Sequence, residues 1–100
     1  AHTYLGRNIA RLSGDEMEAA RAGRSSDAQA DAALRFAFRV AESRGQVSDG
    51  DLAAVRAAGF GEAGIVEIVV NVALNVLTNY VNNVARTDID FPVVTAKLAA

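Results

Sequence analysis

Residues 62 to 86 limit the fold most: EAGIVEIVVNVALNVLTNYVNNVAR is a long apolar segment crossed by a regular row of polar side chains. Its valines and isoleucines favour a sheet, because β-branched side chains suit a pleated surface. Strict alternation fails, however, and the run far exceeds a usual strand. Glu67, Asn71, Asn75 and Asn79 recur every four residues. On an α-helix that spacing makes one slowly rotating stripe flanked by apolar faces. The segment is therefore read as a central helix. The same polar groups argue against a membrane span, since central amides and a carboxylate are costly in a bilayer.

The rest of the chain divides into shorter helices with no long linker, repeat or low-complexity tract. Leu5, Ile9 and Leu12 have helical spacing over residues 2 to 12. Ser13 and Glu16 form a capping-box pattern that opens a short polar helix, and Gly23 suits its stop. Ser25 or Ser26 can cap a third helix, which ends at Gly45. Ala33, Leu34, Ala37, Phe38 and Ala41 form its apolar stripe, with Phe36 and Val40 widening it. Ser48 with Asp51 caps a fourth helix that Gly59 stops, and Leu52, Val55 and Phe60 are its expected buried groups. The tail turns at Asp90-Phe91-Pro92 and is expected to pack over a neighbour as an extended arm or short helix. A single all-α domain of about five helices is the expectation.

Charge and composition exclude several function classes. The formal charge is −2, with arginines interspersed among acids, so no basic stripe offers itself to phosphates and nucleic acid is not expected as a partner. The chain has no cysteine, which removes disulfides, thiolate metal sites and a cysteine nucleophile from these residues. No cofactor or metal site is expected. The N-terminus has no basic stretch followed by an apolar core, and a cytoplasmic location is the expectation.

GFGEAG, residues 59 to 64, matches the G-x-G-x-x-G dinucleotide fingerprint. That motif requires a strand before it and a helix after it, so that the glycines bring amides to a pyrophosphate. DLAAVRAA before it is helical, so the match reads as a helix stop, a turn and a helix start. Asp88 and Asp90, two apart at a turn, read as loop capping groups. The polar stripe on the long helix has three readings. It is a solvated face, a ladder bonded to other helices or subunits, or the wall of a substrate cavity. Its apolar flanks favour the ladder over full exposure. If it is a cavity wall, Glu67, Asn71 and Asn75 are the candidate substrate-binding residues. His2 is the only histidine, hence the only side chain whose ordinary pKa lies near neutrality.

Taken in order, six strings resemble the carboxymuconolactone decarboxylase / alkylhydroperoxidase D-like family. They are AHTYLGR at 1 to 7, AARAG at 19 to 23, AALRFA at 32 to 37, SDGDLAAVRAAGF at 48 to 60, EIVVNVALNVLTNYVNN at 67 to 83 and DIDFP at 88 to 92. The resemblance spans almost the whole chain and rests on order and spacing. It implies a compact all-helical bundle and a homo-oligomer, trimeric or hexameric. In redox-active members the helix leading into AHT carries C-x-x-C-x-x-x-H, and His2 matches the final histidine. Both cysteines would then precede Ala1, and the domain would lack its N-terminal part.

The implied activity is that of a thiol peroxidase. A thiolate attacks a peroxide, becomes a sulfenic acid, condenses with the second cysteine and is restored by a thiol reductant. His2 would be the proton relay, and a cysteine four residues before it would lie one turn away on the same helix face. Two alternatives stand beside this reading. One is an acid–base enzyme of the decarboxylase type, acting on a small carboxylated or lactone substrate through His2 and a carboxylate, with Glu67 the best local candidate. The other is a non-catalytic oligomeric scaffold or binding domain.

Overall fold

In the structure, a computed structural model, residues 1 to 95 are described. They form five α-helices and, among the described residues, no strand: α1 (His2–Asn8), α2 (Gly14–Arg21), α3 (Ala28–Ser43), α4 (Asp49–Ala57) and α5 (Glu62–Ala85).

Local chemistry explains most boundaries. Ser13 and Glu16 close a reciprocal capping box at the head of α2, and Ser48 and Asp51 do the same for α4. Each box satisfies backbone N–H groups that a helix start leaves without intrahelical partners. The α3 cap differs from expectation: Asp27, not Ser25 or Ser26, accepts from the Ala30 amide at 2.7 Å. Ser25 instead accepts from the amide of Asp27 and so shapes the turn that presents the cap. The α4–α5 junction has Gly59 at φ +101°, a conformation that costs other residues steric strain, followed by Gly61 as the α5 N-cap. GFGEAG is thus a helix–turn–helix corner with no strand before it.

The first helix is shorter than its apolar spacing suggests. It ends at Asn8, whose side chain donates to the Tyr4 carbonyl, and Arg11 turns left-handed at φ 55°. Ile9 is consequently exposed, while Leu12 folds back beside Gly6 and Met17. Arg21 Nη2 donates to Thr3 Oγ1 at 3.1 Å and ties α2 to α1.

The core sits where α3 packs on α4 and on the start of α5. Phe36, Val40, Val55 and Ile65 form it, with Leu52, Phe60, Ile68 and Val72 packed around them. Val55, at 1% exposure, is its centre. The apolar face of α3 is therefore rotated from the expected one. Phe36 and Val40 are buried, whereas Ala41 and Phe38 are exposed. Helical spacing fits both faces, and the choice between them is made by α4, which covers the Phe36/Val40 side.

Phe38 has a different contact: its ring closes over buried Gly23, where an added Cβ would come within 2.8 Å of it. The tail runs without helix or strand through the last described residues and bends at Phe91, whose ring meets that of Tyr4 on α1 at 5.7 Å. The remainder of the expected arm, residues 96 to 100, lies outside the described residues.

Candidate functional site

Two hollows flank α3, and only one of them gathers the residues singled out from sequence. Between α3 and α4 lies a concavity of about 690 Å³, with Asp31, Arg35, Arg39 and Asp51 on its walls. Its charges are paired among themselves. Asp31 accepts from Arg24 Nε and Arg35 Nε, both at 2.8 Å, and from the amide of Ser25. The Arg24 bond, then the Ser25 amide, hold its carboxyl down to about 2. Arg39 reaches Glu42 at 3.1 Å and Asp51 at 3.5 Å. Asp51 is also lowered, chiefly by the Ser48 amide and hydroxyl of the capping box. The cluster is a structural clasp for the α2–α3 turn and the α3–α4 contact, with its acids spent on neighbouring arginines. The i,i+4 spacing of Asp31 and Arg35 signals part of it in sequence; the arrival of Arg24 from the preceding loop is a product of the fold.

On the opposite side, α3 and α5 enclose an open groove of about 870 Å³. Its floor is the small-residue stripe of α3, including Ala33, Ala37 and Ala41, which leaves room that larger side chains would fill. Ile68, Val72 and Val76 line the α5 side beside a polar edge of Glu67, Asn71, Asn75 and Asn79. His2, exposed in the first turn of α1, lines the same groove together with Ala20 of α2. The structure therefore brings His2, Glu67, Asn71 and Asn75 to one surface, although 65 residues separate His2 from Glu67 in the chain.

All four residues of the polar stripe are exposed, and no hydrogen bond among the described residues joins the stripe to another helix, so it is not an inter-helix ladder within this chain. Asn71 Nδ2 donates to the Glu67 carbonyl at 2.9 Å, and Asn75 Nδ2 to the Asn71 carbonyl at 2.8 Å. These bonds return each amide to its own helix one turn back. They hold the Asn71 and Asn75 side chains back along the helix axis. The result is a mostly apolar trough with one amide-rich edge, a carboxylate and an imidazole. It has the composition of a site for a small organic ligand with a few oriented polar groups.

Among the described residues no group of three or more histidines, cysteines or acids could hold a metal ion. Sequence reasoning named the stripe and His2 but missed the alanine floor as the opposite wall; a row of alanines at helical spacing facing a polar stripe was the available signal. Asp88 and Asp90 lie in the exposed segment after α5 and do not reach this groove. Comparison with protein-family models, with curated proteins and with solved structures finds no match for this chain.

Proposed function

We propose that this chain is the histidine-bearing helical part of an alkylhydroperoxidase-type thiol peroxidase that reduces peroxides in the cytoplasm. The supporting observation is the place of His2: exposed at the N-terminal turn of α1, on the rim of the groove walled by Glu67, Asn71 and Asn75.

In this reading the thiolate attacks one peroxide oxygen, the O–O bond breaks, and the departing alkoxide takes a proton relayed by His2. The sulfenic acid then condenses with the second thiol, releasing water and forming a disulfide. An external thiol reductant returns the two electrons. These residues contain no cysteine, so the sulfur belongs to the sequence that the family pattern puts ahead of Ala1. An imidazolium one turn away would lower the thiol pKa and raise the thiolate fraction.

The test is peroxide consumption with a thiol reductant by the full encoded product, and by its His2→Gln variant. The expected loss is ~10²-fold or more, the usual share of a general acid–base group, with unchanged thermal stability. An upstream sequence without a cysteine pair, or a variant as fast as the parent, would overturn the reading.

A second reading rests on the shared groove of His2 and Glu67, which needs no sulfur. It is acid–base chemistry on a small carboxylated or lactone substrate, with one group taking and the other returning a proton. Turnover of such a lactone by the cysteine-free chain, abolished in both His2→Gln and Glu67→Gln, would select it over the peroxidase.

A further inference from the structure

Asp31 is shared by two arginines, and the sharing leaves a positive charge unanswered beside the α3–α4 concavity. Arg24 donates through Nε to Oδ1 and Arg35 through Nε to Oδ2, each at 2.8 Å. Among the described residues neither guanidinium has another acid in ion-pair range, and neither has a hydrogen-bond partner at its two terminal amino groups. Arg56 shows the contrast, giving both Nε and Nη2 to a carboxylate of its own, Glu62. Asp31 stays ionised, since its carboxyl is held down to about 2. Two guanidiniums on one carboxylate therefore carry one net positive charge at neutral pH. The Asp31 side chain is only 16% exposed, whereas those of Arg24 and Arg35 are exposed over more than half. An approaching ligand meets the two cations rather than the anion they cover.

The space beside this pair has the size and lining of a small-molecule site. Its volume of about 690 Å³ falls within the roughly 300–1,000 Å³ of ligand pockets. Ala28, Ala32, Arg35 and Arg39 follow in steps of four, three and four residues, and so share one face of α3. The two alanines, with Ala54 of α4, give apolar wall without filling the space, and the exposed Phe38 ring lines it as well. Arg39 lines the same space but is already held by Glu42 and Asp51. No second uncommitted cation is therefore present among the described lining residues, and the Asp51 carboxylate repels a second anionic group. The lining suits one anionic group joined to an apolar body. A planar carboxylate matches the guanidinium fork, and an apolar body covers the alanines and the ring. The groove on the other side of α3 has the Glu67 carboxylate and no arginine among its lining residues, so it does not compete for such a ligand.

We propose that the α3–α4 concavity is a second binding site, which takes a small organic monoanion. Its carboxylate binds the free amino groups of Arg24 and Arg35, and its apolar body packs against Ala28, Ala32, Ala54 and Phe38. Asp31 is a positioning residue, holding the two guanidiniums side by side. The inference stands on this cluster alone and is independent of the chemistry proposed for His2.

Titration with benzoate, followed by the amide signals of the chain in NMR spectra, tests it. Saturable shifts are expected at Arg24, Ser25, Ala32 and Arg35, with a dissociation constant on the order of 1 mM that rises with salt. Benzyl alcohol keeps the ring without the charge, and inorganic phosphate keeps the charge without the ring. Each is expected to bind ~10-fold or more weakly at these amides. Arg24→Gln and Arg35→Gln should each weaken benzoate ~10-fold or more, the loss of hydrogen bonds to a charged group. Arg56→Gln, whose arginine lies off the concavity, should bind like the parent. Circular dichroism checks the helix content of each variant, and either arginine variant decides the matter if the other fails to fold. Benzyl alcohol or phosphate bound as tightly as benzoate would overturn the proposal. So would folded Arg24 or Arg35 variants that bind undiminished, or shifts confined to α5.

Discussion

The two halves of α5 are both rich in apolar side chains and have opposite situations. Residues 65 to 72 send Ile65, Ile68 and Val72 into a core closed by Phe36, Val40 and Val55. Residues 73 to 85 still carry eight apolar side chains, among four asparagines and a threonine, yet every residue of this half is exposed. The difference lies in what faces each half: α3 and α4 cover the first, and no described element covers the second. Hydrophobicity alone therefore does not tell which part of a helix a chain uses for its own fold. The burial of apolar area stabilises only where a partner is present to remove it from water.

Substitutions should separate the halves sharply. Phe36→Ala opens a cavity in the core around Val55 and is expected to cost about 3–5 kcal/mol, a large share of the stability a small domain has. Leu77→Ala, measured by denaturant unfolding at high dilution, is expected to cost less than about 0.5 kcal/mol, as for a surface site. Similar costs at the two positions would erase the distinction between the halves.

A smaller effect is expected at Gly23, which joins the α1–α2 hairpin to the body. Its φ is +72°, and an added methyl would meet the Phe38 ring. Gly23→Ala should lower stability by about 1–2 kcal/mol in the same assay. A neutral result would mean that the hairpin contributes nothing to the cooperative unit.

The least effect is expected at the Asp31 clasp, and it depends on pH. Folding depresses this carboxyl from 3.8 to about 2. Its stabilising contribution is therefore complete above the unfolded value and is lost as pH falls from near 4 towards 2. Asp31→Asn should flatten that acid limb of the unfolding curve while leaving the pH dependence near neutrality unchanged. An acid limb as steep as the parent's would show that the Arg24 and Arg35 pairs are not what lowers it.

Much of this arrangement was legible in the residues. The two capping boxes, the helix of 62 to 85 and the corner at Gly59–Gly61 follow from short-range chemistry that any helix obeys. The face of α3 did not follow, because Ala33/Ala37/Ala41 and Phe36/Val40 both satisfy helical spacing and only the position of α4 decides between them. The end of α1 did not follow either: Leu12 keeps the helical rhythm by folding back beside Gly6, to whose carbonyl its amide donates, after the helix has stopped. For the candidate site, the pattern supplied the stripe and His2 but not their meeting. His2 reaches the groove beside α5 through the packing of α1 on α2, a tertiary relation with no local signal.

Hydrogen exchange along α5 tests the central contrast most directly. Amides of residues 65 to 72 should be protected at every protein concentration, since the core of one chain covers them. Amides of residues 74 to 85, which no described element covers, should exchange faster. Uniform protection along the whole helix would contradict the account.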